Sequence, residues 1–267
     1  ESTHTIIKSL SADDFPIIPK INQEGSFEIK AGEFMVGLQS VVFASAVSDI
    51  KPEISSVYIH NDQQELIFVA TDSFRLAEKK ITTNNLNSNI NIIIPFKNIN
   101  ELIRVLASLN NKQIVVSYNK NQLTVQTDNL YLTLRVIDGN YPDYKQIIPV
   151  KFNTELNIKK EEFISLLKLA TVFSDRFNQI DLTFKPDSNT LELLSYNQEV
   201  GENKSSLIIK IKGDPLIISF NAKYLIDCLG SFNDQTINLR FTEASRPLMI
   251  EGITDNSFHY LVMPINK

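Results

Sequence analysis

Asp72 and Arg75 stand three residues apart in Thr71-Asp72-Ser73-Phe74-Arg75-Leu76, and a carboxylate beside a guanidinium could act on a phosphate ester with a metal's help. The same residues have a plainer use, because short Asp and Ser side chains bond nearby backbone groups and so make turns. Two further acidic pairs, Asp13-Asp14 and Glu161-Glu162, have acid/base spacing on paper, yet they suit a solvated linker and a helix N-terminus better. The histidines, His4, His60 and His259, are scattered, and no Cys/His/carboxylate run has metal-ligand spacing, so neither a metal nor a cofactor is expected. Only eight glycines occur, and none forms a dinucleotide fingerprint, a phosphate-binding loop or a nucleophile elbow. An enzyme on this chain would have to assemble its groups from afar.

The Asp-Arg pair sits on an element that is easy to read. An apolar run, Leu66 to Val69, leads into Ala70–Lys80, where Phe74, Leu76 and Lys80 alternate with Arg75 and Ala77, so strand, tight turn and strand are expected. With 267 residues and 43% hydrophobic content, the chain can bury a large core and its length favours two domains. One cysteine, Cys228, cannot make an internal disulfide and reads as a small buried apolar residue of a reducing compartment. The longest apolar runs, Ile90–Phe96 and Leu216–Phe220, are too short to span a bilayer, no basic-then-apolar leader opens the chain, and a cytoplasmic protein is expected. A net charge of -5 argues against holding nucleic acid by bulk attraction, so any DNA role must rest on a local surface or on topology.

A repeat organises the rest. Phe15-Pro16 and Tyr141-Pro142 each follow an acidic or amide residue, each precedes an Ile-Ile-Pro, and they lie about 126 residues apart, a period of tandem domains rather than of a solenoid. Phe27-Glu-Ile-Lys before Phe34 corresponds to Leu156-Asn-Ile-Lys before Phe163, and Leu102-Ile103 with Leu106 to Leu225-Ile226 with Leu229. The domains are expected at 22–149 and 150–267, with residues 1–21 as the tail and linker of a preceding domain that is absent; an alternating strand is expected at Thr3–Leu10. Helical stripes are expected at Glu33–Ala46 (Phe34, Leu38, Val41, Ser45), at Asn98–Leu109 with Asn98 and Glu101 as a capping box, around Phe163–Phe173, and at Tyr224–Phe232 behind an Asn221 cap. Leu130–Val136 alternates as a strand, and Gln113–Tyr118, Gln122–Thr127 and Ser206–Ile211 are among the many further strand candidates, giving an α+β chain with two helices on antiparallel sheets in each repeat.

Four segments carry a resemblance that covers essentially the whole chain: Ala70-Thr-Asp-Ser-Phe-Arg-Leu-Ala77, Gly139-Asn-Tyr-Pro-Asp-Tyr144, Phe220-Asn-Ala-Lys-Tyr-Leu225 and Tyr260-Leu-Val-Met-Pro-Ile265. In order and spacing they resemble the bacterial sliding clamp family, the beta subunit of DNA polymerase III. The resemblance implies the DNA clamp fold, a head-to-tail homodimeric ring around duplex DNA when full length, and no catalysis. It implies a hydrophobic pocket for short motifs of the replicative polymerase, the clamp loader and repair proteins. One wall would be Ile54, Thr71, Ser73, Phe74, Arg75 and Leu76 with Pro142 and Ile147; the other would be Asn221, Tyr224, Pro247, Leu261, Val262, Met263, Pro264 and Ile265. Apolar walls bury an anchor, methionine adapts, and Arg75 serves the rim. Lys51, Lys97, Arg104, Lys168, Arg176 and Lys223 would face the DNA, although Glu101 can pair with Lys97 or Arg104. Weak basic lining suits a ring that slides, not a sequence reader. Two departures stand out: the tail ends Ile265-Asn266-Lys267, more polar than is common, and Ser73-Phe74 replaces the usual glycine-histidine or serine-tyrosine, which should alter peptide preference more than fold. The alternative is a two-domain α+β hydrolase or nuclease built on Asp72 and Arg75.

Overall fold

The structure, a computed structural model, describes residues 2–15, 20–48, 50–83, 86 and 89–265. The first repeat runs β1 (Gly25–Lys30), α1 (Ala31–Val41), β2 (Ser56–Asp62), β3 (Glu65–Thr71), β4 (Arg75–Thr82), β5 (Asn91–Pro95), α2 (Phe96–Ser108), β6 (Gln113–Tyr118), β7 (Gln122–Thr127) and β8 (Leu130–Arg135). The second runs β9 (Thr154–Lys159), α3 (Lys160–Val172), β10 (Gln179–Lys185), β11 (Thr190–Asn197), β12 (Gly201–Ile208), β13 (Ile211–Gly213), β14 (Leu216–Asn221), α4 (Ala222–Leu229), β15 (Thr236–Phe241), β16 (Leu248–Gly252) and β17 (Phe258–Val262). Strands pair in the order β5-β2-β3-β4 and β1-β6-β7-β8 in the first repeat, and β14-β10-β11-β12 and β9-β15-β16-β17 in the second. Apart from the short β13, the two repeats have one topology. The last strand of the second, β17, then pairs antiparallel with β4 of the first, so the repeats share a nine-stranded sheet.

Helices pack on the sheets through the stripes their spacing announces. Phe34, Leu38 and Val41 of α1, Ile99, Leu102 and Leu106 of α2, and Phe163, Leu167 and Ala170 of α3 are all buried, as are Leu225, Cys228 and Leu229 of α4. Each large apolar side chain buried there contributes about 1.5–3 kcal/mol. Gly37 sits in the interior of α1 because a Cβ there would lie 2.4 Å from the Phe68 ring on β3; helix and sheet approach that closely only without one. Asn221 does cap α4, its Oδ1 accepting the Lys223 N–H at 2.9 Å.

Several expectations need correction. Thr3–Leu10 forms no strand; Ile6, Ile7 and Leu10 are exposed, because alternation makes a strand only where a ladder partner meets it. The Ile17-Ile18-Pro19 half of the repeated motif, with Pro16, lies outside the described residues, as do Asn266 and Lys267. The first helix ends at Val41 and tightens into a 3-10 turn, Val42–Ala44. No capping box opens α2: Pro95, with its fixed φ, ends β5 and caps the helix directly, leaving Asn98 inside the first turn to donate to the Arg135 carbonyl. The Ser206–Ile211 candidate is split between β12 and β13, which belong to different sheets.

Candidate functional site

The turn between β3 and β4 is built by its own side chains. Asp72 Oδ1 accepts the backbone N–H of Phe74 (2.9 Å) and Arg75 (3.0 Å), the Thr71 hydroxyl donates to the Arg75 carbonyl (2.6 Å), and Ser73 takes the left-handed conformation, φ 76°. This pushes Phe74 outward, 61% exposed, while its carbonyl accepts the Met263 N–H at 2.7 Å. At the other end of the tail, Ile265 N–H donates to the Ser219 carbonyl of β14, so residues 263–265 are held between the turn and the second repeat.

Arg75 turns inward. Its Nε meets Asp72 Oδ2 at 3.0 Å and its Nη1 meets Asp227 Oδ2 of α4 at 2.7 Å, while the guanidinium lies 4.3 Å from the Tyr224 ring centroid and 5.7 Å from that of Phe43. Burial opposes its charge, but the hydrogen bond to Asp227 and the nearby Asp72 carboxylate raise its pKa further above the ordinary value. Arg75 is therefore a staple between the repeats; it does not project from a rim. Both Asp72 oxygens are engaged by the turn and by Arg75, which leaves this pair nothing to offer a phosphate ester. Among the described residues no cluster of three or more His, Cys, Asp or Glu could hold a metal.

On the outer face of the shared sheet, Leu76 and Leu261 stand opposite each other across the β4–β17 pairing. They are buried with Ile67, Val69 and Tyr144 in a small outer core, closed by Tyr58, Tyr141 and Ile148. Beside this core runs a groove of about 430 Å³, lined by Ile147, Ile148, Pro149 and Val150 from the linker and by Pro247, Arg246 and Met263 from the second repeat. Ile147 is 51% exposed and Met263 36%. A larger open concavity of about 820 Å³ lies elsewhere, but Asp175, Asp181 and Glu199 wall it, a surface better served by water than by an apolar anchor.

The structure thus brings Ile147, Pro247 and Met263 into one groove. The exposed Phe74 is joined to it through the Met263 backbone, and Leu76 and Leu261 lie in the packed core beside it. Val262 belongs to the main core on the opposite face, since neighbours on a strand point to opposite sides, and Pro264 is also buried. Thr71 and Asn221 act on backbone, Tyr224 stacks on Arg75, Ser73 is spent on the turn, Pro142 is exposed in the linker, and the half-buried Ile54 sits in the loop before β2. Asp227, Tyr144 and Ile148 are not among the expected wall residues; Ile148 has a local signal in the apolar Ile-Ile-Pro run and Tyr144 in the Gly139–Tyr144 segment, Asp227 none.

Of the basic residues, Lys97 and Arg104 stand on α2, Lys168 on α3, Lys223 in the first turn of α4, Arg176 just beyond α3 and Lys51 in the loop after α1, all exposed. Arg104 pairs with Glu101, and Arg176 lies 4.7 Å from the Phe177 ring centroid. No helix among the described residues is long and apolar enough to cross a membrane.

Residues 28–143 match the family model for the DNA polymerase III beta subunit, central domain, and residues 145–266 that for its C-terminal domain. The chain is 29% identical over 265 residues to the beta sliding clamp of Synechococcus elongatus, covering 97% of this chain and 70% of that one. It is also 29% identical over 263 residues to the beta sliding clamp of Bacillus subtilis, covering 97% and 69%. The crystal structure of the Bacillus subtilis DNA polymerase sliding clamp superposes with a TM-score of 0.90 over 97% of this chain and 68% of that one, at 29% identity. The DNA polymerase III beta subunit of Thermotoga maritima does so with 0.89 over 96% and 70%, at 26% identity.

Proposed function

The chain belongs to the DNA polymerase III beta-subunit family, the bacterial sliding clamps, and we propose that it tethers replication partners to duplex DNA by a short-peptide groove between two clamp domains, 22–149 and 150–267. It is a non-catalytic processivity factor of DNA replication. Clamps of this family encircle DNA and bind polymerase; clamp loader and repair proteins are proposed to use the same groove. The observation that carries this reading is the apolar groove framed by Ile147, Pro247 and Met263, with Phe74 exposed nearby on a turn fixed to the C-terminal tail. An apolar concavity of this kind accepts a leucine or aromatic anchor, and methionine adapts to several ligands. Lys51, Lys97, Arg104, Lys168, Arg176 and Lys223 are proposed to face the DNA. Their exposure on or beside the helices supports water-separated phosphate contacts that let a ring slide.

The test is fluorescence anisotropy with a labelled peptide carrying a glutamine-leucine-hydrophobic motif. Saturable binding is expected, weakened about tenfold or more by Met263→Ala with Ile147→Ala. These two side chains are the choice because both are partly exposed; Leu76, buried in the outer core, would perturb folding instead. A folded wild-type chain that leaves the peptide free would overturn the reading.

A further inference from the structure

The groove wall depends on how the linker is held. Ile147, which lines the groove, ends the short 3-10 turn Tyr144–Ile147, and Tyr144 opens it. The Tyr144 ring is buried against the outer face of the sheet, and its hydroxyl donates to Glu78 Oε2 on β4 at 2.6 Å. That hydroxyl also lies 2.9 Å from His60 Nε2 on β2. A carboxylate only accepts, so the tyrosine proton goes to Glu78 and His60 Nε2 must carry the hydrogen that the phenol oxygen accepts. His60 stacks on Tyr58, and Tyr58 on Tyr141 of the linker, with ring centroids 5.0 and 4.7 Å apart.

The chain of contacts continues into the second repeat. Glu78 Oε1 lies 3.7 Å from His259 Nδ1 on β17 and 3.9 Å from Lys80 Nζ. His259 Nε2 lies 3.6 Å from Glu251 Oε1 on β16, and Glu251 Oε2 accepts from Arg240 Nη1 of β15 at 2.9 Å. Pro247 immediately precedes β16 and Met263 immediately follows β17, so the strands that carry the far wall also carry the far end of this network.

We propose that Tyr144, Glu78 and His60 are positioning residues for the partner-peptide groove: their hydrogen bonds fix the register of the linker so that Ile147 stands across from Pro247 and Met263. This rests on the peptide-groove reading. Apolar contact alone would hold the linker down but tolerate sliding along the sheet, whereas two directional bonds to one hydroxyl do not. Removing water from a carboxylate, an imidazole and a phenol beside the buried Leu76 and Leu261 is costly, and the register of the wall is what the cost secures.

The experiment uses the whole chain and the labelled glutamine-leucine peptide, with Tyr144→Phe, Glu78→Ala, Glu78→Gln and the Tyr144→Phe, Glu78→Ala pair. Tyr144→Phe removes one oxygen and keeps the ring, so the fold is retained. Tyr144→Phe and Glu78→Ala are each expected to weaken the peptide about five- to tenfold, the double no more than either single, and Glu78→Gln, whose amide oxygen still accepts the tyrosine proton, within about twofold. Amide hydrogen exchange at 144–148 should quicken in Tyr144→Phe while the β10–β12 strands stay as in wild type. Wild-type affinity in Tyr144→Phe, or unchanged exchange at 144–148, overturns the proposal; so does a Glu78→Gln as weak as Glu78→Ala. If the wild-type chain and Met263→Ala alike fail to bind, it is the groove reading that has fallen; a wild type that binds beside an unaffected Tyr144→Phe strikes the anchor alone.

Discussion

The β3–β4 and β11–β12 hairpins occupy the same place in the two repeats, yet only the first borders a candidate site. Their turns use the same chemistry. Asn197 Oδ1 accepts the N–H of Glu199 (2.9 Å) and Val200 (3.3 Å) much as Asp72 serves Phe74 and Arg75, while the positive φ falls on Ser73 (76°), directly after Asp72, in the first and on Gly201 (122°), where β12 begins, in the second. Pairing register sets Leu76 and Glu78 of β4 level with Glu202 and Lys204 of β12. Leu76 and Glu78 are buried because β17 joins that edge and the linker crosses that face; Glu202 and Lys204, on a strand that ends its sheet, are exposed. A hairpin by itself is scaffold. It becomes a site where a second repeat and a linker are laid against it, and its outward positions change accordingly from exposed charges to a buried leucine and a carboxylate held by partners.

Substitution at level positions should expose that difference most strongly. Leu76→Ala removes a side chain that is 1% exposed and is expected to cost about 3 kcal/mol, while Glu202→Ala leaves the urea midpoint unchanged. Equal losses would mean that the outer core contributes no more than an open strand face. Turn residues give a smaller contrast. Asp72→Ala deletes the acceptor of two backbone N–H groups and the charged bond to Arg75 Nε that helps orient the staple to Asp227, and about 2 kcal/mol is expected; Asn197→Ala deletes the acceptor of its own two turn N–H groups and a neutral amide bond to the Ser174 carbonyl, with no charged partner, and should cost about 1 kcal/mol. Thermal denaturation of the two variants side by side would show whether the staple adds anything beyond the turn.

Local pattern made the hairpin and the helices legible: Phe34, Leu38 and Val41 at helical spacing, Leu66–Val69 running into Thr-Asp-Ser, Asn221 ahead of α4. The β10 strand is equally available, since Ile180, Leu182 and Phe184 alternate with polar residues and are all buried. Membership of the groove was half legible. Taking Leu261, Val262 and Met263 as consecutive wall residues ignores the period of two, which sends Val262 into the main core. What no local reading reaches is the wiring between distant residues. Asp227 meets Arg75 across 152 positions, and Tyr144 meets Glu78 across 66, and nothing near either partner announces the other.

The smallest expected effect separates the two hairpins by their response to acid. Burial pushes the Glu78 carboxyl pKa up, but the His259 imidazole 3.7 Å away, the hydrogen bond from Tyr144 and the charge of Lys80 outweigh it and hold the folded value below the ordinary 4.5. A carboxylate with a depressed folded pKa adds stability that is present above its unfolded pKa and lost as pH falls through the folded one. Wild type should therefore exceed Glu78→Gln in stability near neutrality, and the gap should close below about pH 4.5 as Glu78 protonates. Lys204, level with Glu78 on β12, is exposed beside Glu192, so Lys204→Gln should change stability near neutrality by no more than about 0.5 kcal/mol. Urea midpoints of the three proteins between neutral and acid pH decide it. A Glu78→Gln curve parallel to wild type would mean that Tyr144 and His259 hold the amide as well as the carboxylate, and that the junction owes its register to hydrogen-bond geometry with no contribution from charge.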